Sequence, residues 1–264
     1  RGRAKISGLV THQGFREWAY RFQMDNAKNL MVLNEPRLMN EDYYHGLGRI
    51  NGTGSISGDE RSTQIQVSAE AVKGSRLIIP LDDLSEENAY DFIRFKEPGG
   101  TNALTTAAST EQTVAIRGLE LNLGLLLTPE SEVSLLLDRR FGDQIKGTGY
   151  GNLNLTLSRE GNLALTGNYV FEQGNYSFNL VNLVNKNFEI KKGGRIDWNG
   201  DPYAGNMQIE AVYKQRASIR NLLGSNLTGQ NDNRNILPVE TYLDLTGPIL
   251  QPGVKFRINL PTVN

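Results

Sequence analysis

The chain of 264 residues has no cysteine and only two histidines, His12 and His45. Disulfide frameworks, thiolate nucleophiles, Cys-based zinc sites and His-rich metal clusters are therefore excluded. Lys and Arg number 28 against 29 Asp and Glu. That balance leaves no basic excess for a nucleic-acid partner, so none is expected. No stretch approaches the roughly 18 consecutive apolar residues of a membrane-spanning helix. The chain opens on Arg1 without a signal-peptide pattern, and we read it as a piece of a longer protein.

Glycine is plentiful, at 28 residues against nine prolines. Glycine and asparagine supply tight turns, and between the turns the apolar residues recur at every second position. Leu153, Leu155 and Leu157 alternate with polar residues up to a turn at Ser158–Asn162. Leu163, Leu165, Gly167, Tyr169 and Phe171 resume the alternation. Glu172-Gln173-Gly174-Asn175 marks a second turn, followed by Tyr176, Phe178 and Leu180. Phe188 and Ile190 lead to a further turn at Lys191-Lys192-Gly193-Gly194, then to Ile196 and Trp198. Met207, Ile209, Ala211 and Tyr213 close this series. Similar strands are expected over 50–81, in a leucine ladder from Leu119 to Leu125, and over 239–245 and 254–260. A period of two gives each strand one apolar and one polar face, and short turns set neighbours antiparallel.

Two segments depart from this pattern. Over 82–113, Ser85-Glu86-Glu87 followed by Ala89, Phe92 and Ile93 predicts one short helix with a serine cap, then a loop at Pro98-Gly99-Gly100. Residues 224–235 are polar throughout and are expected to be a mobile loop. Ala217, Ile219, Leu222 and Leu223 fit either a helix or a last strand. A single domain over 1–264 is the expectation.

No constellation carries catalysis, and no enzyme activity is expected. Asp197 and Asp201 flank a turn ending in Asp-Pro, which is turn chemistry. Asp82-Asp83 precede the expected helix, where acidic side chains favour its N-terminus. The Gly-x-Gly patterns at 52–54 and 147–151 open strands instead of helices, so they hold no phosphate. No cofactor or metal is implied. What remains is an apolar sheet face with scarcely any helix to cover it, either closed as a core or curled round an open trough.

The residues Gly147-Thr148-Gly149-Tyr150-Gly151-Asn152-Leu153 and the run Gly167 to Phe178 resemble the C-terminal domain of the TamB translocation and assembly module family. Phe188-Glu189-Ile190, Gly193 through Pro202 and the ending Leu245 to Pro261 are similar to it too, as are Tyr44 to Gly58 and Ile78-Ile79-Pro80. The insertions are more like the Bacteroidota branch. The resemblance implies an all-β fold, a long antiparallel sheet curled into a U-shaped β-taco with an apolar interior. It implies an AsmA-like bridge protein, anchored in the inner membrane, periplasmic, and reaching the outer membrane. A TamA-like Omp85 barrel would be its partner there. Two roles follow: passage of phospholipid acyl chains, or a scaffold that pairs an edge strand with nascent outer-membrane proteins. A lipid groove would be lined by Leu153, Leu155, Leu157, Leu163, Leu165, Phe178, Ile190, Met207 and Ile209. The family brings no catalytic residues.

Overall fold

The structure is a computed structural model, and it describes residues 2–35, 45–81, 118–138, 142–180, 184–218 and 236–261. Fourteen strands form one sheet, with no helix among the described residues. They are β1 (Arg3–Gln13), β2 (Arg16–Glu35), β3 (His45–Asp59), β4 (Thr63–Ala71), β5 (Arg76–Pro80), β6 (Leu119–Leu127) and β7 (Glu132–Asp138). β8 (Asp143–Leu157), β9 (Leu163–Leu180), β10 (Val184–Ile190), β11 (Arg195–Gly200), β12 (Asn206–Ser218), β13 (Ile236–Pro248) and β14 (Gly253–Asn259) follow. The helix and loop expected over 82–113 and the loop over 224–235 lie outside the described residues.

The order β1-β2-β3-β4-β6-β8-β9-β10-β12-β13-β14 sets eleven positions side by side, about 48 Å from edge to edge at 4.8 Å per step. Neighbours are antiparallel except where β4 meets β6 and β5 meets β7. These two pairings are parallel and share one register, Thr63 beside Leu119 and Arg76 beside Glu132. Parallel neighbours require a long connection, and here the chain between Leu81 and Gly118 makes it.

Three positions hold two collinear strands instead of one. β4 and β5 both pair with β3, β6 and β7 both with β8, and β10 and β11 both with β9. The breaks between them line up. Val72–Ser75 lies beside Thr128–Ser131, which faces Gly149 of β8, which faces Phe171 and the extra residue Glu172 of β9. Beyond β9 the line continues through Lys191–Gly194 to Glu210 of β12, where the Lys191 N–H donates to the Glu210 carbonyl at 2.9 Å. On the other side it reaches Arg49 of β3 and the bulge between Met31 and Leu33 of β2. Bulges and glycines are where a sheet bends most. The line is a crease, and the two arms of each strand are the walls of a U. Gly149 is needed there, because a Cβ on it would run into the Val170 carbonyl oxygen.

The crease corrects two of the expected turns. Glu172–Asn175 does not reverse the chain: β9 runs straight through it, and Glu172 is a single inserted residue. That insertion moves the inward parity from Tyr169 and Phe171 to Tyr176 and Phe178, so all four rings face the interior. Lys191–Gly194 is likewise a jog between collinear strands, since β10 and β11 both run antiparallel to β9 and do not pair with each other. Ser158–Asn162 is a true reversal, closed by the Ser158 N–H donating to the Asn162 carbonyl at 2.9 Å. Of the ambiguous stretch after Tyr213, Ala217 belongs to β12 and the others lie outside the described residues.

The core sits over the crease between β7 and β13. Ile145, Ile196, Ala211, Leu243 and Leu245 are wholly buried, and Tyr169, Phe171, Tyr176, Phe188 and Met207 nearly so. The sheet also curls across its strands at this end. Phe178 of β9 and Phe256 of β14 stand four positions apart, about 19 Å on a flat sheet, yet their ring centroids are 6.1 Å apart.

Two outcomes follow from this packing. Deleting Glu172 turns Tyr176 and Phe178 outward, at a cost of about 3–5 kcal/mol or more, whereas Glu172→Ala leaves the melting temperature near wild type. Equal melting temperatures for the two variants would refute the bulge. Burial, followed by the Glu132 carboxylate, pushes the Tyr169 hydroxyl well above the usual phenol range. Burial, followed by Asp143, does the same for Tyr176. The neutral phenol is the form the fold holds, so this stability is present below the ordinary phenol value and is lost as pH rises beyond about 10. Tyrosinate absorbance should therefore show two tyrosines that ionise only as the protein unfolds in alkali. Uniform titration of all tyrosines in the folded protein would contradict this.

Candidate hydrocarbon groove and sheet edge

Away from the crease toward the strand ends, the apolar side chains pass from buried to half-buried. Cross-strand register places them in rows. Phe22, Ile56, Ile65, Leu121, Leu157 and Leu163 form an outer row, running across β2, β3, β4, β6, β8 and β9. Met24, Gly54, Val67, Leu123, Leu155 and Leu165 form the next. Gly52, Ala69, Leu125, Leu153 and Gly167 form a third, and Ile50, Ala71, Leu127 and Gly151 reach the crease. This is one continuous aliphatic wall.

The groove candidates divide along this gradient. Leu153, Leu155, Leu157 and Leu165 are half-buried on the wall, and Leu163 is exposed at its lip. Ile190, Met207 and Ile209 are buried in the core over the crease. Phe178 is half-buried and touches Phe256 where the two ends of the arch meet. Alternation did not single out Ile65, Val67, Leu121 and Leu123 as part of this lattice, because it names a face and not the neighbouring strand.

The opposite, outward face is polar. Lys191 pairs with Glu210 at 2.6 Å, and Arg257 pairs with Glu210 at 2.6 Å and Asp244 at 2.9 Å, which ties the jog after β10 to β12, β13 and β14. The hydrogen bond from Lys191 lowers the Glu210 carboxyl below its ordinary range, and that from Arg257 lowers Asp244. Asp201 accepts the Tyr203 N–H at 2.9 Å, the turn chemistry its sequence predicts. Among the described residues no three His, Asp or Glu side chains converge where a metal could sit.

Two edges bound the described sheet, β1 and β14. Every residue of β14 is exposed, and its inward Val254, Phe256 and Ile258 stand 43%, 53% and 65% accessible. At the other end Ile6, Val10, Phe15 and Met31 are exposed as well. In β2, Asn26 and Asn29 adopt left-handed φ of 55° and 49° beside its bulges, which asparagine tolerates better than most residues.

Comparison with individually curated proteins finds none that matches the chain. The profile of the TamB C-terminal domain matches residues 1–264, its whole length. Proteins of that family are membrane-associated and reach the outer membrane, where they act in its assembly with TamA-like Omp85 proteins. The creased sheet with an apolar interior and the match over every residue lead to one conclusion: this chain belongs to the TamB family and is of its C-terminal domain type.

Proposed function

We propose that this domain is a non-catalytic conduit that holds phospholipid acyl chains against the aliphatic wall. It would serve in the periplasm, on a protein anchored in the inner membrane, and carry lipid between the two membranes. The observation that supports this most directly is the half-buried leucine lattice on strands that have no free backbone. β4, β6 and β8 are each hydrogen-bonded on both sides. A ligand on that face finds no donor or acceptor, so a peptide there would bury unsatisfied polar groups. A hydrocarbon chain has none to satisfy.

The dimensions agree. From Leu121 to Leu127 the wall is six residues deep, about 20 Å at 3.3 Å each, against about 15 Å for one leaflet's hydrocarbon. Polar turns at Asp59–Ser62 and Ser158–Asn162 border the lip. A lipid would lay its tails down the wall and leave its headgroup in water.

A photo-crosslinking amino acid at Leu155, with Asn154 on the outer face as control, tests this in cells. Phospholipid adducts are expected at Leu155 and not at Asn154. A folded protein with adducts at neither position would overturn the conduit.

β14 supports a second role, the scaffold for outer-membrane proteins. Its outer edge is unpaired among the described residues and its inward side chains are uncovered. Both are what an added amphipathic strand needs. Val254→Lys with Ile258→Lys puts inward charges on this edge. Lower levels of folded outer-membrane proteins are expected, at an unchanged melting temperature; unchanged levels would exclude this use of the edge.

A further inference from the structure

We propose that the groove is blind at the β14 end, and that acyl chains leave it sideways over the lip formed by β4, β6, β8 and β9. The inference rests on the conduit reading above and adds the route. Five interior residues of the arch, Ile145, Ile196, Ala211, Leu243 and Leu245, have no accessible surface at all. No space the size of a water molecule touches them, and a methylene chain is wider than a water. The filling comes from both walls: Tyr176 and Phe188 from one, Tyr169, Phe171 and Trp198 from the other, within a single packed cluster.

Aromatic rings also meet across the mouth of the arch, with the outer side of Phe256 left in solvent. Phe178 stacks edge-on against Phe256 at 6.1 Å and against Phe188 at 6.4 Å, and Phe188 meets Tyr213 at 5.8 Å. A chain moving lengthwise past β9 would have to displace this aromatic row and the core beneath it. Opening an interior packed to that density forfeits burial of several large side chains together. Over the aliphatic wall the same strands ask for nothing of the kind. Leu121, Leu123, Leu155 and Leu165 are half-buried, and Leu163 at the lip is 45% accessible. A tail lifted over that lip crosses only side chains that are already half-buried or exposed.

The test uses the intact protein, in phospholipid transfer between vesicles of phosphatidylethanolamine and phosphatidylglycerol. The chain has no native cysteine, so Phe178→Cys with Phe256→Cys can be bridged by a short thiol-to-thiol reagent. Bridging is expected to leave transfer within about twofold of the unbridged double variant. Leu163→Arg, at an exposed lip position, is expected to slow transfer about tenfold at an unchanged melting temperature, the effect of about 1.4 kcal/mol. Loss of transfer on bridging, or wild-type transfer by Leu163→Arg, would overturn the blind end. Either result with lipid adducts still formed at Leu155 leaves the conduit standing, whereas absence of those adducts removes both.

Discussion

A sheet with one apolar face, and no helix among the described residues to cover it, must bury that face against itself. In this domain the crease does so, and the rest of the molecule follows from it. Because the breaks and bulges of successive strands line up, one sheet supplies both walls, and the collinear pairs β4–β5, β6–β7 and β10–β11 are single positions broken at the bend. The bend consumes residues in a regular way: four at Val72–Ser75, four at Thr128–Ser131, four at Lys191–Gly194, one at Glu172. Where the strand stays continuous, in β8, the residue at the bend is Gly149, with no side chain to hold the facing strand away.

Side-chain volume then decides where the U is solid and where it is open. Near β9, β11 and β12 the interior carries Tyr, Phe, Trp and Met, and the walls meet through them. Near β3 and β4 it carries smaller side chains, Gly52, Gly54, Val67 and Ala69 set among Ile50, Ile56 and Ile65. The leucines of β6 and β8 fall between these extremes and remain half-buried. One pattern of alternation thus yields a dry core at one end and an accessible hydrocarbon surface at the other.

Alternation made the strands legible, and it placed Leu153, Leu155, Leu157, Leu163 and Leu165 on one face. It failed at the crease for a physical reason. A hairpin turn and a bulge use the same residues, because both draw on glycine and asparagine at irregular backbone angles. Glu172–Asn175 and Lys191–Gly194 differ from a reversal only in what pairs beyond them, which is information from other strands. Depth was illegible for the same cause. Ile190, Met207 and Ile209 alternate as cleanly as Leu155, and only the opposite wall buries them. The parallel register of β4 with β6 joins residues 56 apart in the chain, and no local pattern announces such a pairing.

The two roles considered for this domain draw on different resources of one sheet. A sheet's face is where its hydrogen bonds are already spent, so it suits a ligand that requires none. Its edge is where they remain unspent, so it suits a strand. In β8 the first condition is complete, since β6, β7 and β9 occupy both its sides. In β14 the second holds among the described residues, with Val254, Phe256 and Ile258 adding the apolar contact that a new strand would share. Hydrocarbon on the wall and polypeptide on the edge therefore do not compete for any atom. Substitutions at Leu155 and at Ile258 act on separate chemistry, and a protein that performs both tasks can lose either one alone.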